Sequence, residues 1–139
     1  MTPIAARLLK VAIALGAIVS VPAAFVTTCY YMENPTSRYK TYQEARAAGA
    51  LDEGRWIPAF LPESSRSIVE THDIDTNALE IEFDYTPGDL GRVPVECRRT
   101  SSSSEYVCEG WGMPLNVRLD DSGKGLVLGH PNYALERAR

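Results

Sequence analysis

The residues whose spacing most invites chemistry run His72-Asp73-Ile74-Asp75-Thr76-Asn77. Two carboxylates and an amide at alternate positions imitate the opening of a calcium loop, and Asp84 stands where the closing acid would fall. Two features oppose that chemistry. Ala78 occupies the place where such a loop needs glycine for its sharp turn, and the residues leading to Asp84 alternate like a strand. Asp75 and Asn77 are therefore read as turn formers that satisfy nearby amides. His72, Asp73, Asp75 and Asn77 remain a weak polar site, with no metal expected.

For catalysis, only His72 and His130 offer an imidazole base. His130 lies in Gly129-His130-Pro131-Asn132, which reads as a loop closing the last strand, and neither a nucleophile elbow nor an HExxH spacing occurs. A triad of His72 with Asp73 or Asp75 and a distant serine is the one arrangement the chain could assemble in space. Asp121-Ser122-Gly123-Lys124-Gly125 lacks the glycine spacing of a phosphate loop and reads as a hairpin turn. No catalytic residue is assigned and no cofactor is implied.

The three cysteines point to a compartment. Cys97 and Cys108 flank a serine cluster that marks a turn. A hairpin centred between Ser102 and Ser103 sets Arg98 against Val107, Arg99 against Tyr106 and Cys97 directly opposite Cys108, within reach of a disulfide. Such a bridge belongs to an oxidising compartment. Without C-x-x-C spacing or a neighbouring histidine it is read as structural. Cys29 closes an apolar run; it is a candidate for lipidation, although Thr28 beside it departs from the usual Gly, Ala or Ser, and otherwise a thiol in a helix end.

That apolar run carries no charge from Val11 to Met32, and its 22 residues would extend about 33 Å as a helix, enough to span a bilayer core. Arg7 and Lys10 precede it and Glu33 follows, so the positive-inside rule places the N-terminus in the cytoplasm and the rest outside. Tyr30 and Tyr31 fall where a membrane interface favours amphipathic rings. Val21-Pro22-Ala23 offers an alternative cleavage site. The expectation is a single-pass inner-membrane protein with a periplasmic C-terminal domain. The formal net charge is −4, and both charges before Glu33 are positive, so the exported part is more acidic still. An acidic surface argues against nucleic acid and anionic lipid as partners.

The elements that must position these residues predict an α+β fold: a transmembrane helix over 1–32, a linker over 33–40, an exported domain over 41–132 and a tail over 133–139. Thr41-Tyr42-Gln43-Glu44 matches a capping box, in which the Glu44 side chain reaches back to the amide of residue 41, and Gly49 ends that short helix. Trp56 to Pro62 is apolar but broken by Pro58 and Pro62, so it packs as an extended segment. A second short helix is expected over Ser64 to His72. Leu79, Ile81, Phe83 and Tyr85 alternate with acids as a half-buried strand, and strands are expected over Val93 to Arg99 and Glu105 to Glu109. LNVRL and GLVLG flank a turn as a further hairpin. The sum is an antiparallel sheet of about five strands with one or two short helices on one face and a disulfide hairpin.

Tyr42 with Ala45, the run Trp56-Ile57-Pro58-Ala59-Phe60-Leu61-Pro62, Ser64-Ser65 with Ile68, and His72-Asp73 with Asp75-Thr76-Asn77 together resemble the core of uncharacterised bacterial small membrane-anchored or lipoprotein-like envelope proteins. The resemblance covers the first third of the exported domain and implies envelope location and a compact α+β fold. Trp56 and Trp111 are possible partner contacts, because tryptophan dominates interface hot spots, with core packing the alternative for Trp56. The leading expectation is a non-catalytic, membrane-tethered protein-interaction domain, an accessory subunit or an immunity-type protein. A binding module for a small ligand or cell-wall fragment comes second, and an envelope hydrolase third.

Overall fold

The computed structural model describes residues 20–22, 24–29, 32, 35–52 and 55–130. The chain divides into two units, Met1–Glu33 and Asn34–Arg139. In the first, residues 20–22 and 24–29 are helical, and the Thr28 hydroxyl donates to the Ala24 carbonyl at 2.8 Å. Val21, Phe25, Val26 and Met32 are exposed. Residues 11–19, 23 and 30–31 of the apolar run, and the tail from 131 onward, lie outside the described residues. Among those described, no helix is long and apolar enough to cross a membrane.

The second unit is built on one seven-stranded antiparallel sheet in the order β1-β2-β3-β7-β6-β5-β4. Its strands are β1 (Thr36–Thr41), β2 (Arg66–His72), β3 (Leu79–Asp84), β4 (Arg98–Arg99), β5 (Glu105–Gly110), β6 (Met113–Leu119) and β7 (Lys124–Gly129); α1 (Tyr42–Ala47) and α2 (Val93–Glu96) are single short helices. Strict alternation sends Leu79, Ile81 and Phe83 of β3, Val127 of β7, Leu115, Val117 and Leu119 of β6, and Tyr106 and Cys108 of β5 to one face. Tyr42 and Ala45 of α1, Ile57, Phe60 and Leu61 of the proline-broken segment, and Val93 of α2 complete that core.

Three expected elements are corrected. The 33–40 linker is mostly strand: β1 pairs with β2 from Thr36 opposite Thr71 to Thr41 opposite Arg66. Its polar residues suit an edge, where Arg38 and Lys40 face water. The helix expected over Ser64 to His72 is β2, where β-branched Ile68, Val69 and Thr71 fit a pleated surface and Ser67, at φ 52°, bulges the register toward β3. Val93 to Arg99 is strand only at its last two residues. Pro94 cannot donate to a ladder but fits a first helical turn, and Arg92 bonds Glu96 one turn on at 3.1 Å.

The sheet has seven strands where about five are expected, because β1 and β2 add to one side of it; its antiparallel pairing, the α1 cap and the disulfide hairpin agree with the sequence. The Thr41 hydroxyl caps α1 by accepting from the Glu44 amide at 3.1 Å, though the Glu44 carboxylate accepts from the amide of Lys40, one residue before the expected Thr41. Gly49 follows α1 at φ 65°. Arg98 faces Val107, Arg99 faces Tyr106, and Cys97 is bonded to Cys108 with Cα atoms 4.3 Å apart.

Two irregular segments are stitched together beneath the sheet. Gly91, at φ 57°, lies so close to the Phe60–Pro62 backbone that a Cβ there would stand 2.8 Å from the Phe60 oxygen. Beside it Asp89 accepts from the amides of Ser64 and Gly91, each at 3.1 Å. The Ser64 hydroxyl first, then these amides, hold the Asp89 carboxyl below its usual range.

Replacing both bridged cysteines by serine should lower the unfolding free energy by about 2 to 3 kcal/mol for a loop of this size, read as a lower urea midpoint. Folding lowers the Asp89 pKa, so its stabilisation is present above the unfolded carboxylate value of about 4 and disappears as pH falls through the folded value. Asp89→Asn should therefore be less stable than the wild type at pH 7, with the difference shrinking toward pH 3 in thermal melts.

Candidate functional site

Three turns and strand ends meet at one end of the sheet: the β2–β3 turn, the β5–β6 turn and the exit of β7 at Gly129. The chain enters at the same end, where the Pro35 carbonyl accepts from the His72 amide.

Strand β2 turns Ile68, Glu70 and His72 toward the core, Glu70 opposite Ile81 and His72 opposite Leu79. Glu70 is only 2 % exposed, and its Oε1 lies 2.6 Å from His72 Nδ1. A carboxylate taken out of water needs such a partner. The outer face of the imidazole is covered by Trp56, centroid to centroid 4.7 Å at 27°, and Trp56 in turn tilts against Trp111 at 5.7 Å and 48°. A continuous stack thus runs from a buried acid to the surface.

Trp111 and Gly112 form the two-residue turn between Gly110 and Met113, both with positive φ, 51° and 74°. That geometry favours Asn-Gly, and an indole in it costs about 1 to 2 kcal/mol. The contact with Trp56 returns about 0.5 to 1.5 kcal/mol, so the two nearly cancel. Trp111 still leaves 37 % of its surface exposed.

In the adjacent turn, Asp73 Oδ1 accepts from the amides of Asp75 and Thr76, both at 2.9 Å, and Asn77 takes φ 55°. The Thr76 amide, foremost, holds the Asp73 carboxyl below its ordinary range. Ile74 projects from this turn, 55 % exposed. Asp84 stands at the far end of β3, where it pairs with Lys124 and its carboxyl is held low chiefly by that ammonium. The calcium-like spacing is therefore not gathered in space, because five strand residues separate its closing acid from its loop. Among the described residues no group of three or more His, Cys, Asp or Glu side chains could hold a metal ion.

His72 and His130, far apart in sequence, do come together, lining with Asp73 and Glu80 a cavity of about 290 Å³. The His72 ring takes Glu70 as its partner rather than a serine. Cys29 is a half-buried free thiol in the helical residues of the first unit. Glu70 was not legible as a site residue, because a helix over Ser64 to His72 puts it on a different face from His72. Strand spacing puts the two side by side.

The opposite sheet face carries no layer among the described residues. Val69, Leu126, Leu128 and Val107 lie half-buried on it, with Glu80 and Glu82 exposed and two ion pairs, Lys124 with Asp84 and Arg118 with Glu105 at 3.2 Å. Two shallow cavities, about 190 and 440 Å³, flank Leu126.

The fold is an α+β domain whose antiparallel sheet is covered on one face. Residues 33–84 match the YbbD head domain. The match begins directly after the apolar run and ends on the last residue of β3, taking in α1 and β1 to β3 and leaving α2 and β4 to β7 outside. Neither a curated protein nor a solved structure matches the chain.

Trp111→Asn should leave the unfolding free energy within about 1 kcal/mol of wild type, since a relaxed turn offsets the lost ring contact. His72→Ala, which strips a buried carboxylate of its partner, should cost about 2 to 4 kcal/mol at pH 7. Urea denaturation of both variants measures the contrast.

Proposed function

We propose that this chain is a membrane-tethered, periplasmic protein-interaction domain, held by residues 11–32 and engaging an envelope protein across the open face of its sheet. The observation that carries the reading is β7. A strand in the middle of a sheet, it turns Val127 into the core and Leu126 and Leu128 the other way, where no layer among the described residues covers them. Central strands apolar on both faces belong to sheets covered on both faces, and a half-apolar face rimmed by charge fits a protein partner better than a small ligand.

The tether is supported by the uncharged run with Arg7 and Lys10 before it, and by the exposed Val21, Phe25 and Val26, an apolar surface in need of cover. The disulfide suits an oxidising compartment outside the cytoplasm. Trp56 and Trp111, the other candidate contacts, sit at the end of the sheet, where Trp111 is exposed.

A photo-crosslinker placed at Glu82 in the full-length chain in its native membrane should capture one defined protein, and Leu128→Asp should reduce the adduct about tenfold, a loss of roughly 1.4 kcal/mol, without unfolding the domain. The same probe at Gln43 on α1 serves as the control. Equal capture from Gln43, or none from Glu82, would remove the open face as the contact.

A further inference from the structure

Among the described residues from Pro35 onward, three large apolar side chains are exposed: Ile74, Val95 and Trp111. Two of the three occupy turns at one end of the sheet, and that is the end at which the chain enters through Pro35. Only Glu33 and Asn34 separate Met32, the last residue of the apolar run, from Pro35. Three Cα steps span at most about 11 Å. If the apolar run crosses a bilayer, Pro35, at the end of the sheet that bears Ile74 and Trp111, lies within that distance of its last residue.

The chemistry of that end suits such a place. Tryptophan concentrates at membrane interfaces, where its ring body meets acyl chains and its N–H meets headgroups. Trp111 is held at a turn tip in a backbone conformation that disfavours it. Ile74 projects from the neighbouring tip, and the carboxylates of the two turns are Asp73, Asp75 and Glu109, with His72 and His130 beside Asp73. Carboxylates repel anionic lipid but attract the cationic end of zwitterionic headgroups, and can accept from the N–H groups of phosphatidylethanolamine.

We propose that the turn end of the sheet rests on the zwitterionic lipid surface of the membrane that tethers the chain, with Trp111 and Ile74 as its interfacial anchors. This rests on the tether proposed above and is independent of the partner at the open face.

The chain has two tryptophans, so Trp56→Phe leaves Trp111 as the single reporter and Trp111→Phe leaves Trp56. Each full-length variant is reconstituted in phosphatidylcholine–phosphatidylethanolamine vesicles with brominated acyl chains and purified by flotation. Trp111 emission should fall about twofold or more relative to unbrominated vesicles, as for an interfacial ring, with Trp56 losing clearly less. Adding Ile74→Asp, or replacing most of the lipid by phosphatidylglycerol, should reduce the quenching of Trp111. Where Trp56→Phe does not fold, 5-fluorotryptophan in the wild-type chain gives two fluorine resonances, and that of Trp111 should broaden selectively with spin-labelled lipid.

Trp111 that is unquenched by brominated lipid in floated vesicles and open to iodide overturns the proposal with the tether intact. Trp111 shielded from both quenchers overturns it in favour of a protein contact. Quenching as strong in anionic vesicles overturns the headgroup assignment. A chain that does not float removes the tether and the proposal with it.

Discussion

The pairing of β3 with β7 is the constraint on which the domain depends. Each half of the sheet is local, β1 to β3 on one side and β4 to β7 on the other, and only the ladder from Leu79 opposite Gly129 to Asp84 opposite Lys124 joins them. The seam closes because β7 is thin on its core side, reading Gly125, Val127, Gly129. A Cβ on Gly125 would stand 2.2 Å from the Phe83 ring, and one on Gly129 would stand 2.7 Å from Leu115. Phe83 and Leu115 lean from either side over the two glycines, so large side chains meet across a strand that could not hold its own.

That seam gives physical content to the partial match. The residues resembling the YbbD head domain end at Asp84, so they comprise half a sheet whose last strand needs a further strand along its free edge. In this chain the stretch from Tyr85 to Gly123 brings β7 back to that edge. Tyr85 fastens the return: its amide bonds the Gly123 carbonyl at 2.7 Å and its hydroxyl donates to the Asp120 carbonyl at 2.6 Å. The Asp120 carboxylate in turn accepts from the Ser122 and Lys124 amides, which shapes the turn from which β7 starts.

The parts of the fold legible in the sequence obey local rules. β3 alternates without exception, the cysteines and the serine cluster fix the β4–β5 register, and the cap of α1 is spelled in four residues. The illegible parts are those where tertiary structure overrides local pattern. β2 puts Glu70 and His72 on the core face, so alternation of polarity disappears even though alternation of direction remains. β1 is polar because it is an edge, which in sequence looks the same as a linker. The clustering of Trp56, His72 and Trp111 joins three segments distant in sequence, and no spacing encodes it. The two histidines at the β7 exit meet for the same reason, through the seam and not through any motif.

The edges of the sheet also decide how it can associate. β1 ends it on one side with Arg38 and Lys40 exposed, and the Lys40 amide is already taken by Glu44 at 2.8 Å. β4 ends it on the other side with only two residues, both arginine, pinned by the disulfide to β5 and led in by a helical turn. Charged or very short edge strands resist the addition of a further strand. Association by edge pairing is therefore blunted at both margins, which leaves the faces and ends. One face is filled by α1, α2 and the proline-broken segment. The apolar surface left uncovered on the other face is the side of the sheet that carries Leu126 and Leu128 with Val69 and Val107, and it presents side chains instead of free backbone.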